Sequence, residues 1–559
     1  MERKDILDQL AKNPDVDVLI IGGGINGAGT FLDLAVNGFR VLLVDRKDFC
    51  SGTSATSSHM AHGGIRYLEN GEFRLVKEAV AERNRMIENA PHMVKPLPTV
   101  IPIFKFWSGL LNAPLKFLNW LDKPSERGAL VIKIGLILYD SYTGGNRTVP
   151  AHQFFGRKES LRRYPLVNKD IKFTAEYYDG LMLSPERYNT EIILDAEKKH
   201  PNAMALNYAS VETYEGDRVI LRDGVSNTEI KLKPGIIVNA AGPWIDDVNA
   251  RLGIQTKYIG GTKGSHIIVD NQKLKEAIGN REFFFENKDG RIVLLLPFFD
   301  KVIIGTSDLP IQDPDNAICT PEEQHYFIDL VKRVFPEIKI LPEQIVFRFS
   351  GVRPLEYQEA KTTGQITRDH SIHEDQFNGT KVLSLVGGKW TSFRAFGEQV
   401  TDQCLSFYGR NRAASTEKIR IGGGINYPKT KADIDTYVTG LSKRLSVDQD
   451  MADLLFERYG TLVEQIFEST EKKQVKVLKS NLLLTENEIL YLAKNEKVVH
   501  LDDLLLRRTS IGWLGQTTKE SLAEIAHLAG NALGWSEEKI AWEIDRVRDI
   551  FKVSHSVEI

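Results

Sequence analysis

Cysteine is scarce in this chain, charge of the two signs nearly balances, and long apolar runs are missing. The three cysteines, Cys50, Cys319 and Cys404, lie far apart and form no C-x-x-C pair. That argues against a disulfide framework and against a zinc site, and it fits a reducing, cytosolic setting. No metal site is expected. No stretch of about 18 uninterrupted apolar residues occurs, so a membrane-spanning helix is not expected. The opening MERKDILDQLAKNPD is charged and has no apolar core, so no secretory signal is expected. Net charge is −3, so no global basic field draws the chain to nucleic acid.

Core-forming material is plentiful. With 559 residues, 42% of them hydrophobic, the chain can fill one large domain or two to three ordinary ones. The six residues IGGGIN occur twice, at 21–26 and at 421–426. Ahead of the first copy, Val16 to Ile21 reads as a buried parallel strand. After it, Ala28 to Ala35 reads as a helix, and Val41 to Val44 as a second strand ending in Asp45. Gly22, Gly24 and Gly27 thus complete G-x-G-x-x-G between strand and helix. Asp45 follows about 20 residues on, where an acid binds a ribose hydroxyl. Gly22 permits the turn, Gly24 lets the backbone approach a pyrophosphate, and Gly27 allows close packing of helix on strand. The helix N-terminus offers free N–H groups and positive dipole to phosphates.

The second copy lacks this setting. It follows Glu417-Lys418-Ile419-Arg420, which is no apolar strand, and Tyr427-Pro428 stands where the third glycine and the helix should be. It is expected to be a loop leading into the C-terminal part.

The glycine motif alone does not choose between a nicotinamide and a flavin dinucleotide. Three later strand-to-glycine turns lean toward FAD: 236–244, 350–355 and 382–391. A cofactor as long as FAD needs backbone approaches from distant segments. A late glycine turn at a helix N-terminus suits the flavin pyrimidine end, with Lys389 as an added positive charge. The alternative is that these glycines merely end strands.

Together, IGGGINGAG, SGTSATSSHMAHGGIRYLENGEFRLVKEA, VNAAGPW, TKGSHIIVD, IGTSD, SGVRPL, QITRD, GGKWTSFR and LLLRRTSIGW resemble the FAD-dependent glycerol-3-phosphate dehydrogenases, in order and over nearly the whole chain. The resemblance implies an α/β fold of the D-amino-acid-oxidase type: a discontinuous Rossmann-like FAD-binding domain, an antiparallel-sheet substrate domain and an α-helical C-terminal domain. The expected boundaries are an oxidoreductase region at 1–407, a linker at 408–430 and helices at 431–559. Within the first region, 1–90, 150–245 and 345–407 are assigned to FAD, and 91–149 and 246–344 to the substrate domain. The resemblance also implies oxidation of sn-glycerol 3-phosphate to dihydroxyacetone phosphate, with electrons passing to a quinone at a membrane. A glycerol-3-phosphate oxidase using oxygen, an amine oxidase of the same fold and a non-catalytic flavin-binding protein are the alternatives.

The stretch His62-Gly63-Gly64-Ile65-Arg66-Tyr67 offers a proton acceptor, close backbone approach and a cation. The matching family residues are active-site residues, as are those matching Arg353 and Lys389. The expected roles are proton acceptor or hydroxyl orienter for His62, substrate anchors for Arg66 and Arg353, and a charge beside the flavin for Lys389. His266, in KGSHIIVD, is a second proton-acceptor candidate, though a histidine can equally be structural. Cofactor contacts are expected at Gly22, Gly24, Gly27, Asp45, Thr53, Ser54, Gly63, Gly64, Val211, Gly242, Gly388 and Thr391. Arg187 and Arg368 are further cations, substrate-facing or structural. Two departures from the family pattern stand out: His59 where lysine is common, and the segment 184–189.

Residues 101–142 mix apolar residues with Trp107, Trp120, Lys105, Lys116 and Lys123, interrupted by Pro114. That composition suits a membrane interface, and it also suits a helical pair packed in the substrate domain. The chain is therefore expected in the cytoplasm, with peripheral contact at the cytoplasmic face of the membrane and homodimer formation left open. Arg507 and Arg508 are expected to form ion pairs inside the C-terminal helical domain.

Overall fold

The computed structural model describes residues 1–65, 68, 72–106, 128–142, 148–286, 292–358, 369–468 and 475–559. Arg66, Arg368 and the Trp107–Lys123 stretch lie outside the described residues.

The first sheet has a parallel centre. Its strands come from scattered places: Asp15–Ile21, Val41–Val44, Ala203–Leu206, Glu229–Asn239 and Thr380–Val386, with Ser371–Phe377 antiparallel at one edge. Strand Asp15–Ile21 sits between Val41–Val44 and Glu229–Asn239, with Ile21 level with Val44 and Asn239. Val18, Leu19, Ile20 and Val41 to Val44 are all fully buried. Such unbroken apolar runs are what a parallel sheet covered on both faces requires. One cover is the helix Ile25–Val36, which packs with the helices Pro185–Lys199 and Phe393–Tyr408.

The second sheet, with ten strands among the described residues, is almost wholly antiparallel, centred on Thr262–Val269, Lys301–Gly305, Ile292–Phe298, Val94–Ile103 and Phe173–Met182. Strand Ile345–Arg353 pairs with Thr262–Val269 and brings Arg353 level with Thr262. Its far end joins the C-terminal helices, because Phe347 and Phe349 share one core with Leu455, Leu492, Trp513, Ile525 and Phe551.

The α/β architecture with a discontinuous parallel sheet, a mainly antiparallel second sheet and a helical C-terminal part is thus present. The second IGGGIN is not a free loop. It makes one 3-10 turn, Gly422–Gly424, buried against the Pro185–Lys199 helix, where Gly422 N–H donates to Asp195 (2.9 Å) and Gly423 N–H to Glu191 (3.3 Å).

Arg507 and Arg508 depart from expectation in one respect. Arg507 does pair inside its own domain, with Asp502 and Asp503, but both arginines also reach Asp48, more than 450 residues away. Asp48 is fully buried, and two guanidiniums meeting one buried carboxylate compensate the loss of its hydration.

Candidate active site

The first IGGGIN forms a turn that only glycine fits at two points. Gly22 has φ +112°, and a Cβ on Gly27 would stand 1.9 Å from the Gly22 carbonyl oxygen. Gly24 caps the helix Ile25–Val36 with no side-chain hydrogen bond of its own, and the positive dipole end of that helix suits a phosphate. Asp45 closes the neighbouring strand. Its carboxylate accepts from Gly23 N–H (2.7 Å) and Lys47 N–H (2.9 Å), and burial pushes its pKa up to about 6. Beside the turn, Gly242 faces open space, with nothing within 4 Å of a would-be Cβ. A helix N-terminus, a glycine cradle and a carboxylate at the strand end fit the pyrophosphate and ribose of FAD.

Distant segments converge on this turn through hydrogen bonds. Ser54 Oγ accepts from Ile25 N–H (3.0 Å), and Ser54 carbonyl accepts from Trp390 Nε1 (2.8 Å). Asn26 Nδ2 donates to the Gly387 carbonyl (3.1 Å), which fixes the late glycine turn beside Gly388 and Lys389. Gly387 N–H donates to the Pro354 carbonyl (3.1 Å), and Thr53 Oγ1 donates to the Val352 carbonyl (2.6 Å). Thr391 Oγ1 donates to the His62 carbonyl (3.0 Å). The structure therefore gathers Gly22–Gly27, Thr53, Ser54, His62–Gly64, Arg353 and Gly388–Thr391 into one place. His62, Arg353 and Lys389 are each half-buried there. Asn26 belongs to this gathering although motif reading passed over it; its signal was its position inside the glycine motif.

Arg353 is held in position before any substrate arrives. Its guanidinium donates to Thr306 Oγ1 (3.0 Å), the Ser307 carbonyl (3.2 Å) and Asp308 (3.2 Å). Three acceptors thus fix the orientation of a planar, permanently charged group of the kind that suits phosphate.

His266 lies beneath this surface. It is 2% exposed, stacks flat on Phe349 (4.7 Å between centroids) and shares a hydrogen bond with Ser58 Oγ (2.8 Å). Burial, with Arg353 and His59 nearby, pushes its pKa down to about 3, so it stays neutral at ordinary pH. Val211 is buried in the strand Ala209–Glu215, which starts where Ala209 N–H donates to the Asp45 carbonyl (2.7 Å); its own carbonyl accepts from Arg251. Arg187 is buried. It pairs with Glu496 (2.8 Å) and Glu191 (3.0 Å) at the joint with the C-terminal helices.

The two departures from the family pattern meet in space. His59 and Glu186 are both buried, 4.0 Å apart, with the His59 ring edge-on to Phe298 and Trp513. Burial pushes Glu186 up to about 8 and His59 down to about 4, so both are neutral near pH 7. Glu186 then carries a stability consequence. Unfolded, it releases its proton near 4.5; folded, it keeps it until about 8. The folded state holds the extra proton between these values, so this contribution to stability is full below 4.5 and is lost as pH rises to 8, by at most about 5 kcal/mol. Glu186→Gln is expected to remove that loss. The melting temperature of the variant relative to the wild type should rise between pH 6 and pH 8.5; a difference constant with pH would refute the burial of an ionisable Glu186.

Comparison with known proteins agrees with this geometry. A family profile described as "FAD dependent oxidoreductase" matches residues 17–394, and one described as "C-terminal domain of alpha-glycerophosphate oxidase" matches 414–540. A glycerol-3-phosphate dehydrogenase of Synechocystis is 31% identical over 96% of this chain and 96% of its own. An aerobic glycerol-3-phosphate dehydrogenase of Staphylococcus aureus is 29% identical over 91% of this chain and 89% of its own. Among solved structures, the glycerol-3-phosphate dehydrogenase of Bacillus halodurans complexed with FAD superposes with a TM-score of 0.74 at 24% identity, covering 99% of this chain and 97% of that one. The L-alpha-glycerophosphate oxidase of Mycoplasma pneumoniae with FAD bound gives 0.53 at 19% identity, over 72% and 98%. The strand–glycine turn–helix cradle, the segments gathered around it and these likenesses together place the chain in the family of FAD-dependent glycerol-3-phosphate dehydrogenases.

Proposed function

We propose that the protein oxidises sn-glycerol 3-phosphate to dihydroxyacetone phosphate and passes the electrons to a quinone. The observation that carries this reading is that the segments bearing His62, Arg353 and Lys389 are hydrogen-bonded together around the late glycine turn, next to the dinucleotide cradle. Bound FAD supplies the two-electron acceptor that oxidation of a secondary alcohol requires. Arg353 binds the phosphate dianion and so fixes the reach of the three-carbon chain. His62 accepts the C2 hydroxyl proton as the C–O bond becomes a carbonyl. Lys389 places positive charge where electron density builds during the reaction. Arg66, outside the described residues, is kept as a second phosphate anchor.

His62→Ala is expected to keep its flavin and to lose about 10²–10⁴-fold in the rate of anaerobic reduction by glycerol 3-phosphate. A variant with full flavin and nearly full rate would remove His62 from the chemistry.

The acceptor reading draws on the helix Ala129–Tyr142. Ile134 and Ile137 are each 52% exposed on its outer face, next to Leu138, which suits shallow contact with a bilayer. Among the described residues no helix is long and apolar enough to cross a membrane. Reoxidation should therefore be faster with a quinone in anionic vesicles than with dissolved oxygen; the reverse order would make the protein an oxidase.

A further inference from the structure

One peptide bond in the candidate site is held at both of its polar ends. It is the bond between His62 and Gly63. Its carbonyl accepts from Thr391 Oγ1 (3.0 Å). Its N–H donates to Tyr139 Oη (3.0 Å) and to Asp179 Oδ1 (3.0 Å). Behind these two acceptors stands Arg83, which donates to Tyr139 Oη (3.1 Å), Asp179 Oδ1 (3.3 Å) and the Tyr178 carbonyl (2.7 Å). The Tyr139 hydroxyl donates to Asp179. Arg83, Tyr139 and Asp179 are at most 1% exposed.

Burying a guanidinium, a carboxylate and a phenol together is costly unless each is satisfied. Here the three satisfy one another, and what the cluster presents outward is a pair of acceptors for one backbone N–H. Glycine at 63 is needed for this approach, because a Cβ there would lie 2.1 Å from Tyr139 Oη. A peptide plane bonded on both edges cannot flip or tilt. The direction in which the His62 imidazole leaves the backbone is then set.

We infer that Tyr139 and Asp179, backed by Arg83, are positioning residues for His62, and that Thr391 holds the other edge of the same peptide. The inference rests on the reading of His62 as proton acceptor. Tyr139 never touches substrate; it acts by aiming the group that does. A proton acceptor must stand within hydrogen-bond reach of the hydroxyl it serves, and small misplacements cost one to two orders of magnitude in rate.

The test is anaerobic reduction of the holoenzyme by sn-glycerol 3-phosphate, with Tyr139→Phe and Thr391→Val, each alone and combined with His62→Ala. Phenylalanine keeps the ring and leaves Asp179 to bind both Gly63 N–H and Arg83, so flavin content should be full. The expected result is a loss of about tenfold to a hundredfold in the limiting reduction rate. The substrate concentration giving half that rate should change less than about twofold, because ground-state binding does not use the proton acceptor. In the His62→Ala background the same substitution should cost nothing further, since there is nothing left to aim. Thr391→Val should behave alike, and it decides the matter alone if Tyr139→Phe loses its flavin. A full rate in both single variants would overturn the inference. So would a loss carried undiminished into the His62→Ala background, which would make the cluster a general support of the fold. If His62→Ala itself reduces at the wild-type rate, the proton-acceptor reading falls; if it is slow while Tyr139→Phe and Thr391→Val are fast, only the positioning role falls.

Discussion

Arg353→Ala is expected to lower kcat/KM for glycerol 3-phosphate by roughly 10²–10³-fold, the scale for deleting one partner of a partly desolvated, hydrogen-bonded charge pair. The loss should fall mainly on KM. Phosphate is bound equally before and during the reaction, so removing its anchor weakens both states together. Arg353→Lys should recover only part, because an ammonium keeps the charge and loses the fork that Thr306, Ser307 and Asp308 hold in place. Steady-state kinetics with glycerol 3-phosphate and with unphosphorylated glycerol check this. Arg353→Ala should erase most of the preference for the phosphorylated substrate; an unchanged preference would mean that the phosphate sits elsewhere.

The second large effect is on stability. Asp48→Ala leaves Arg508 with two donors facing no carboxylate and strips Arg507 of one of its three acidic partners. Breaking a buried pair in this way costs about 3–5 kcal/mol. Asp48 joins the dinucleotide region to the C-terminal helices, so the loss should appear at that joint. Calorimetry should resolve an early transition, roughly 10 °C below the wild-type melt, and limited proteolysis should release the C-terminal helices. A single transition at the wild-type temperature would mean that Asp48 contributes nothing to docking.

What could be read from the sequence follows from distance along the chain. The strand Asp15–Ile21, the glycine turn, the helix Ile25–Val36 and the strand Val41–Val44 lie within 30 residues of one another. Their apolar pattern and glycine spacing carry the whole unit, including the carboxylate of Asp45. The same six residues at 421–426 take another fate because no strand precedes them and Pro428 follows; they become a buried joint instead of a phosphate cradle. The discontinuous sheet was legible only through resemblance, since nothing local says that Glu229–Asn239 pairs with Asp15–Ile21.

The long-range polar pairs were not legible at all. His59 and Glu186 looked like two separate departures, and only the fold makes them one neutral buried pair. Arg507 and Arg508 read as ion-pairing within the C-terminal helical domain, while Asp48 is invisible at that separation. Tyr139 and Asp179 carry no motif; their meaning comes from a backbone N–H that a different segment brings to them.

The central claim is that this FAD-dependent oxidoreductase draws its electrons from glycerol 3-phosphate. The most direct measurement is the visible spectrum of the purified holoprotein as sn-glycerol 3-phosphate is added in the absence of oxygen, with glycine and proline as parallel additions. The account predicts that the flavin band bleaches with glycerol 3-phosphate and holds with the amino acids. A band that stays with glycerol 3-phosphate and bleaches with an amino acid would contradict it and make the protein an amine oxidase on the same scaffold.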